Sequence, residues 1–341
     1  MKNAPHIGML EAGARGTIAD VAGVSVGHCT LDGGDVQTGV TVVRPHDGDV
    51  YRSKVPAAAC VINGFGKSVG LVQIEELGVL ETPIALTNTF SVSTIAQAQI
   101  RSACEANDKI GRDWPSVNPL VLECNDGYLN DMQTFAVEEA HYRDALAACS
   151  KDFARGAVGA GRGMSCFELK GGIGTASRIA HIEGRAYTTG ALVLANCGRL
   201  PQLTIAGDAT GRRLHAAMQS NAGPEQGSII MLVATDAPLD SRQLRRLAMR
   251  AAAGLARTGS FYGHGSGDIA LAFSTAYAVP HDAAFIAIPP LLSDAFIDPL
   301  FQATADSIEQ AVLDALFSAE SVTGRDGHRR TSLTDALEAQ P

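Results

Sequence analysis

Hydrophobic positions along the chain fall into two patterns. The first is the short, continuous apolar run, rich in β-branched residues and closed by glycine or a polar pair. Such runs cover Ala57–Ile62, Ile84–Asn88, Pro119–Leu122, Thr188–Asn196, Leu203–Ala206, Ile229–Ala234, Ile269–Ser274 and Ala284–Ile288. Each predicts a strand, and the unbroken apolar character predicts burial on both faces. The second pattern repeats every three to four positions. It predicts helices over 70–78, 93–106, 134–149, 241–257 and 299–317. In 241–257 a stripe of Leu244, Leu247, Ala248, Ala251, Ala252 and Leu255 lies opposite Arg242, Arg246 and Arg250. Residues 16–44 read as short β pieces with glycine turns, and the glycine-dense 154–178 as closely packed backbone. The polar tail 323–341 reads as loose. Sheets buried on both faces need helices outside them, so layered α/β packing is expected.

Composition narrows this picture. The 341 residues are 46% hydrophobic and 18% charged, with a net charge of −9 and no Lys/Arg cluster flanked by aromatics. Nucleic acid is therefore not an expected partner. No apolar stretch is long enough for a membrane span, and no apolar segment follows the N-terminus to make a secretory signal. Seven dispersed cysteines without a C-x-x-C pair predict reduced thiols of a cytoplasmic protein. Nine scattered histidines show no metal-ligand spacing, so neither metal nor cofactor is expected.

Candidate chemistry collects at strand ends. Within Arg212–Gln226 the seven residues Gln219–Glu225 carry loop formers without hydrophobic period and read as a flexible connector, which Gly227-Ser228 joins to the apolar run. Cutting the Gly227–Ser228 bond would leave one residue with both a hydroxyl nucleophile and a primary amine, at the start of a buried strand. A plain strand start is the commoner meaning of such a dipeptide. Ser266 and Asp268, two apart, share a face and could relay a proton, or form an ordinary turn. Asn196 ends a strand with an amide free to meet an oxyanion, although asparagine is also common turn chemistry. Glu123, before Cys124-Asn125-Asp126-Gly127, could hold a cationic amino group or be a solvated carboxylate. The Asn63–Ser68 loop misses the phosphate-loop spacing and reads as a strand-to-helix turn. Thr258-Gly259-Ser260 offers a competing Gly-Ser bond, but its serine would sit on a loop rather than a rigid strand.

Together these stretches resemble a known family. Asp20–His28, Thr38–Thr41, Val61–Lys67, Leu80–Thr89, Glu123–Asn130, Leu203–Gly207, Gly227–Pro238 and Gly265–Asp268 are similar, in sequence order, to L-aminopeptidase/D-esterase and β-peptidyl aminopeptidases. Those proteins are self-processing N-terminal nucleophile hydrolases. The resemblance implies a four-layer αββα sandwich, one domain over 1–341 that cleaves itself into 1–227 and 228–341. It implies catalysis by Ser228 with Ser266, Asp268 and Asn196, and Glu123 binding the substrate amino group. The substrates implied are short peptides, amides or esters with a free amino end, β- or D-residues included, and the assembly a homo-oligomer of cleaved heterodimers. Phe65, Cys124, Asn125 and Trp114 are expected as pocket walls. Two other readings stay open: an uncut homologue that binds small amines or peptides without turnover, and an acyltransferase on the same scaffold.

Overall fold

The structure, a computed structural model, describes residues 3–218 and 227–339. The strands, in chain order, are β1 (Ser25–Gly33), β2 (Val36–Arg44), β3 (Ser53–Gly64), β4 (Val79–Leu80), β5 (Ile84–Asn88) and β6 (Val121–Cys124). They continue as β7 (Ser165–Cys166), β8 (Leu169–Lys170), β9 (Gly172–Ile182), β10 (Arg185–Asn196), β11 (Ser228–Thr235) and β12 (Gly267–Ser274). Three short ones close the series: β13 (Val279–Pro280), β14 (Val322–Thr323) and β15 (Arg329–Arg330). The helices are α1 (Leu71–Leu77), α2 (Val92–Ala106), α3 (Glu139–Ala147), α4 (Thr210–Met218), α5 (Ser241–Arg257), α6 (Asp298–Ser318) and α7 (Leu333–Glu338).

Two sheets carry the architecture. The smaller runs β1-β2-β5-β6; the larger runs β13-β3-β12-β11-β10-β9, with β4 added beside β3. Their facing sides bury one core, including Val26, Val43, Leu86 and Leu122 of the small sheet against Leu194, Ile230, Leu232 and Phe273 of the large. The outer face of the large sheet meets α5 and α6 through Met231, Val233, Leu247, Ala251, Ile308 and Val312. The outer face of the small sheet meets α2 and α3 through Val40, Val42, Ile95 and Ala145. The order of layers is therefore helix, sheet, sheet, helix, the sandwich expected from the sequence. It explains the unbroken apolar runs. In β11, Ile229, Met231 and Val233 point to the helices, while Ile230, Leu232 and Ala234 point to the other sheet.

Local chemistry sets the element ends. Helix α5 starts where Asp240 accepts the Gln243 N–H (2.7 Å) and Gln243 Oε1 accepts the Asp240 N–H (3.2 Å). Helix α1 ends at Gly78 in the left-handed conformation, as its sequence predicts. Gly174 on β9 lies against the backbone of α6, which bears out close packing in the glycine-dense region.

Several expected elements differ. The helix expected over 134–149 starts only at Glu139, because Phe135 takes a left-handed turn (φ 48) and stays exposed. Ala284–Ile288 forms no strand; Phe285, Ile286 and Ile288 are exposed and find no sheet edge among the described residues. Leu203–Ala206 is a loop held by a bridge between Ile205 and Asp208. The connector read at 219–225 lies outside the described residues; residues 212–218 before it belong to helix α4. The tail is ordered through residue 339: β14 pairs with β15, and α7 buries Leu333 completely.

Candidate active site

Ser228 opens β11, central in the large sheet, and is buried. The register pairs it with Asn196 at the end of β10 on one side and with Gly267 at the start of β12 on the other. Paired residues face the same way, so Ser228 and Asn196 share the inner face of the sheet. Asn196 Nδ2 lies 3.4 Å from Ser228 Oγ and donates to the Asn125 carbonyl at 2.9 Å. Its Oδ1 accepts the Ser165 N–H at 2.8 Å. That bond fixes the amide, because a backbone N–H demands the oxygen and leaves the NH2 group for Ser228. The Asn125 N–H donates to Ser228 Oγ at 3.4 Å. Two donors, one from a strand and one from a loop, thus converge on one hydroxyl. Both contacts are long, which leaves the donors free to meet another oxygen nearby.

The residue before the serine is constrained by packing. A Cβ on Gly227 would lie 2.5 Å from the Asn196 carbonyl oxygen, so a side chain there would push the strand ends apart. The Gly227 carbonyl accepts the Gly267 N–H at 3.1 Å, which holds the Gly227–Ser228 peptide between two strands. Ser266 Oγ donates to Asp268 Oδ1 at 2.7 Å, and both side chains are fully buried, on one side as their spacing predicts. Asp268 pairs with Ile229 in the register, so it faces away from the Ser228 hydroxyl and flanks the strand start beside Gly267.

Glu123 is the last residue but one of β6 and is buried. Oε1 accepts the Lys67 N–H at 2.9 Å, and Oε2 accepts the Thr89 hydroxyl. Each oxygen keeps a second lone pair for a cationic guest. The Glu123 site expected from the sequence thus gains two members that no local pattern marks, Thr89 and the loop after β3. Phe65 belongs to that loop; its ring is exposed and carries Lys67 Nζ 4.5 Å above it. Asn125 takes part through its backbone, while its side chain accepts the Gly127 N–H at 2.9 Å.

Of the other two expected pocket walls, Cys124 is no wall, and Trp114 packs in an aromatic cluster. Cys124 is fully buried on the inner face, where its thiol donates to the Leu194 carbonyl at 3.5 Å. Burial drives its pKa well above the usual thiol range, although hydrogen bonding to Ser228 works against the shift. It remains a neutral thiol beneath the serine rather than a wall. Trp114 stacks with Tyr51 (centroids 6.2 Å) and lies beside His281, with the Arg52 guanidinium 4.8 Å above it. None of these contacts involves Ser228, Asn196 or Glu123. A cavity of about 370 Å³ instead lies beside the loop after β6, lined by Phe90, Gly127, Asn130, Met132 and Arg325 among others.

Asp126 is the loop's buried acid. Burial raises its pKa to about 7, against hydrogen bonds from Thr38 and Asn130, and its Oδ2 has no hydrogen-bond partner among the described residues. Among those residues no group of three or more His, Cys, Asp or Glu is placed to hold a metal ion. No helix among them is long and apolar enough to cross a membrane.

Known proteins share sequence and fold with the chain. The model of peptidase family S58 matches residues 16–330. The chain is similar to a β-peptidyl aminopeptidase, BapA, of Sphingosinicella microcystinivorans: 38% identical over 345 aligned positions, covering 93% of this chain and 85% of the relative. Its fold is similar to the PH0078 protein of Pyrococcus horikoshii OT3, with a TM-score of 0.92, 50% identity and coverage of 97% and 95% of the two chains. It is also similar to the L-aminopeptidase D-Ala-esterase/amidase of Ochrobactrum anthropi, with a TM-score of 0.90, 34% identity and coverage of 99% and 96%. That protein is described as a prototype of the serine aminopeptidases and a variant of the Ntn hydrolase fold.

Proposed function

Because the chain belongs to peptidase family S58, we propose that Ser228 is its nucleophile and that the Gly227–Ser228 bond is the first one it opens. The chain is a serine-type aminopeptidase with an Ntn-hydrolase-type fold. Its first reaction is on itself. Ser228 Oγ adds to the Gly227 carbonyl carbon, whose oxygen already accepts the Gly267 N–H. Expulsion of the Ser228 nitrogen gives an ester, and water then releases fragments 1–227 and 228–341. The second fragment begins with a primary amine on the nucleophile itself.

In turnover that amine is the nearest base. Its ordinary pKa of ~7.7–8.0 leaves an appreciable neutral fraction near pH 7. It takes the hydroxyl proton as Oγ adds to a substrate carbonyl, then passes that proton to the leaving group. Water, deprotonated by the same amine, releases the acyl group and restores the hydroxyl. Asn196 Nδ2 and the Asn125 N–H would meet the tetrahedral oxyanion. Ser266 and Asp268, beside Gly267, would stabilise the protonated amine. Glu123 would hold the substrate ammonium through a charge-assisted bond, which restricts attack to the first residue of a chain.

The observation that carries this reading is the convergence of the Asn196 amide and the Asn125 N–H on one buried serine hydroxyl. The substrates proposed are short peptides, amides or esters with a free amino group. The β-peptidyl relative supports β-residues among them, and the L-aminopeptidase D-Ala-esterase/amidase supports L- and D-residues. A cytoplasmic homo-oligomer of cleaved heterodimers completes the proposal. Ser228→Ala tests it: an uncut, inactive chain is expected on a denaturing gel and in a p-nitroanilide assay. Turnover by that variant would remove Ser228 from its role.

A further inference from the structure

The segment 324–330 near the C-terminus wraps the loop that carries Asn125. The Arg325 N–H donates to the Leu129 carbonyl at 2.8 Å, and Arg325 Nε donates to the Gly127 carbonyl at 2.7 Å. His328 Nδ1 donates to the Tyr128 carbonyl at 2.9 Å, while its ring stacks on Tyr128 with centroids 4.7 Å apart. Three consecutive carbonyls of one loop are therefore held by one strap. A Cβ on Gly324 would lie 1.9 Å from the Leu129 oxygen, so the strap approaches as closely as backbone allows.

The end of the strap reaches the second donor. The Arg330 guanidinium lies 3.6 Å from the Tyr128 ring centroid, and its Nε donates to Ser165 Oγ at 3.0 Å. Ser165 is the residue whose N–H orients Asn196. The same corner is tied from beneath by Lys170, whose Nζ donates to the carbonyls of Gly161, Met164 and Gly171, and whose N–H donates to the Thr331 carbonyl. Its nitrogen is thus spent on backbone carbonyls around Ser165.

We propose that the strap 324–330 positions both oxyanion-side donors: Arg325 fixes the loop behind the Asn125 N–H, and Arg330 fixes Ser165 and, through it, the Asn196 amide. This rests on the reading of those donors given above. In a processed enzyme the strap belongs to the fragment that starts with Ser228, whereas Asn125, Ser165 and Asn196 belong to the other. The nucleophile's fragment thus shapes the site twice, at its first residue and near its last. Arg325 and Arg330 touch no reacting atom, so both are positioning residues.

The test is a double-mutant cycle on Arg330→Ala and Ser165→Ala, with kcat and KM measured on a p-nitroanilide and scaled to the amount of cleaved fragment. Each single variant is expected to lower kcat by about tenfold with KM little changed, because a small displacement of a donor costs rate rather than binding. The double variant should be no slower than the slower single one, since both remove the same link. Multiplying effects, or an unchanged kcat in both single variants, would overturn the proposal. Should Arg330→Ala fail to fold, Arg330→Lys keeps a cation on Tyr128 without the directed Nε–H, and is expected to reproduce the kcat loss; wild-type kcat in it would count against the strap. Asn196→Ala, assayed in parallel, separates the two layers. Full activity there overturns the oxyanion reading itself, whereas loss there with wild-type kcat in the Arg330 variants overturns only the strap.

Discussion

Ser228, Asn196 and Asp268 stand on three adjacent strands of the large sheet, whereas Glu123 and Asn125 stand where β6 of the small sheet gives way to a loop. On the first side the ladder fixes each residue. The pairing of Asn196 with Ser228 sets their separation, and the apolar faces above and below make a one-residue slip prohibitive. On the second side the positions depend on distant segments. The loop after β3 gives the Lys67 N–H to Glu123, Thr89 gives its hydroxyl, and the strap grips residues 127–129. The nucleophile proposed at Ser228, with its own base, needs rigidity, and a central strand supplies it. A binding loop needs shape, and contacts gathered from several parts of the chain supply that.

Breaking the strand-built side should cost most. Asn196→Ala is expected to lower kcat by ~10²–10³-fold while KM moves little, the usual cost of removing an oxyanion donor. A change carried wholly by KM would instead assign Asn196 to ground-state binding. Breaking the loop-built side should cost less. Glu123→Gln is expected to reduce kcat/KM by roughly 10–100-fold, the worth of one charge-assisted hydrogen bond, mostly through KM. Equal turnover of substrates with free and acetylated amino groups by the wild type would refute an ammonium site at Glu123.

Asp126→Asn should affect turnover least and stability most informatively. The carboxyl has its pKa raised by burial from 3.8 to about 7, so between those values the folded state holds more protons than the unfolded one. Stability contributed by this group is therefore present at acid pH and lost as pH rises from about 4 towards 7. The amide that replaces the carboxyl in the variant does not ionise. The difference in melting temperature, variant minus wild type, is expected to grow over that window and level off above it. A difference independent of pH would show that Asp126 is not the titrating group.

The same contrast between strand and loop governs what is legible in the sequence. The strand read from 229–234 emerges one residue longer at each end and the helix over 241–257 with its predicted boundaries, because burial on both faces and a capped amphipathic stripe are local signals. Ser228, Asn196 and Asp268 are legible for the same reason: each ends or begins an apolar run. Thr89, Ser165, Arg325 and Arg330 are not, since each acts through a partner at least 31 positions away in sequence. The polar tail reads as loose because its order comes from packing on the site loop rather than from a hydrophobic period. Ala284–Ile288 misleads in the opposite sense, being apolar enough for a strand but with no strand among the described residues to pair with. Trp114, the one tryptophan, packs between Tyr51, His281 and Arg52, an arrangement that no local pattern encodes.

Catalysis by this mechanism requires that the active enzyme begin a chain at its nucleophile. Intact mass and N-terminal sequencing of purified, active protein measure this directly. Two fragments are expected, 1–227 and 228–341, the second reading Ser-Ile-Ile-Met from its first residue. A continuous chain across residues 227 and 228 in protein that turns over substrate at its full rate would contradict it.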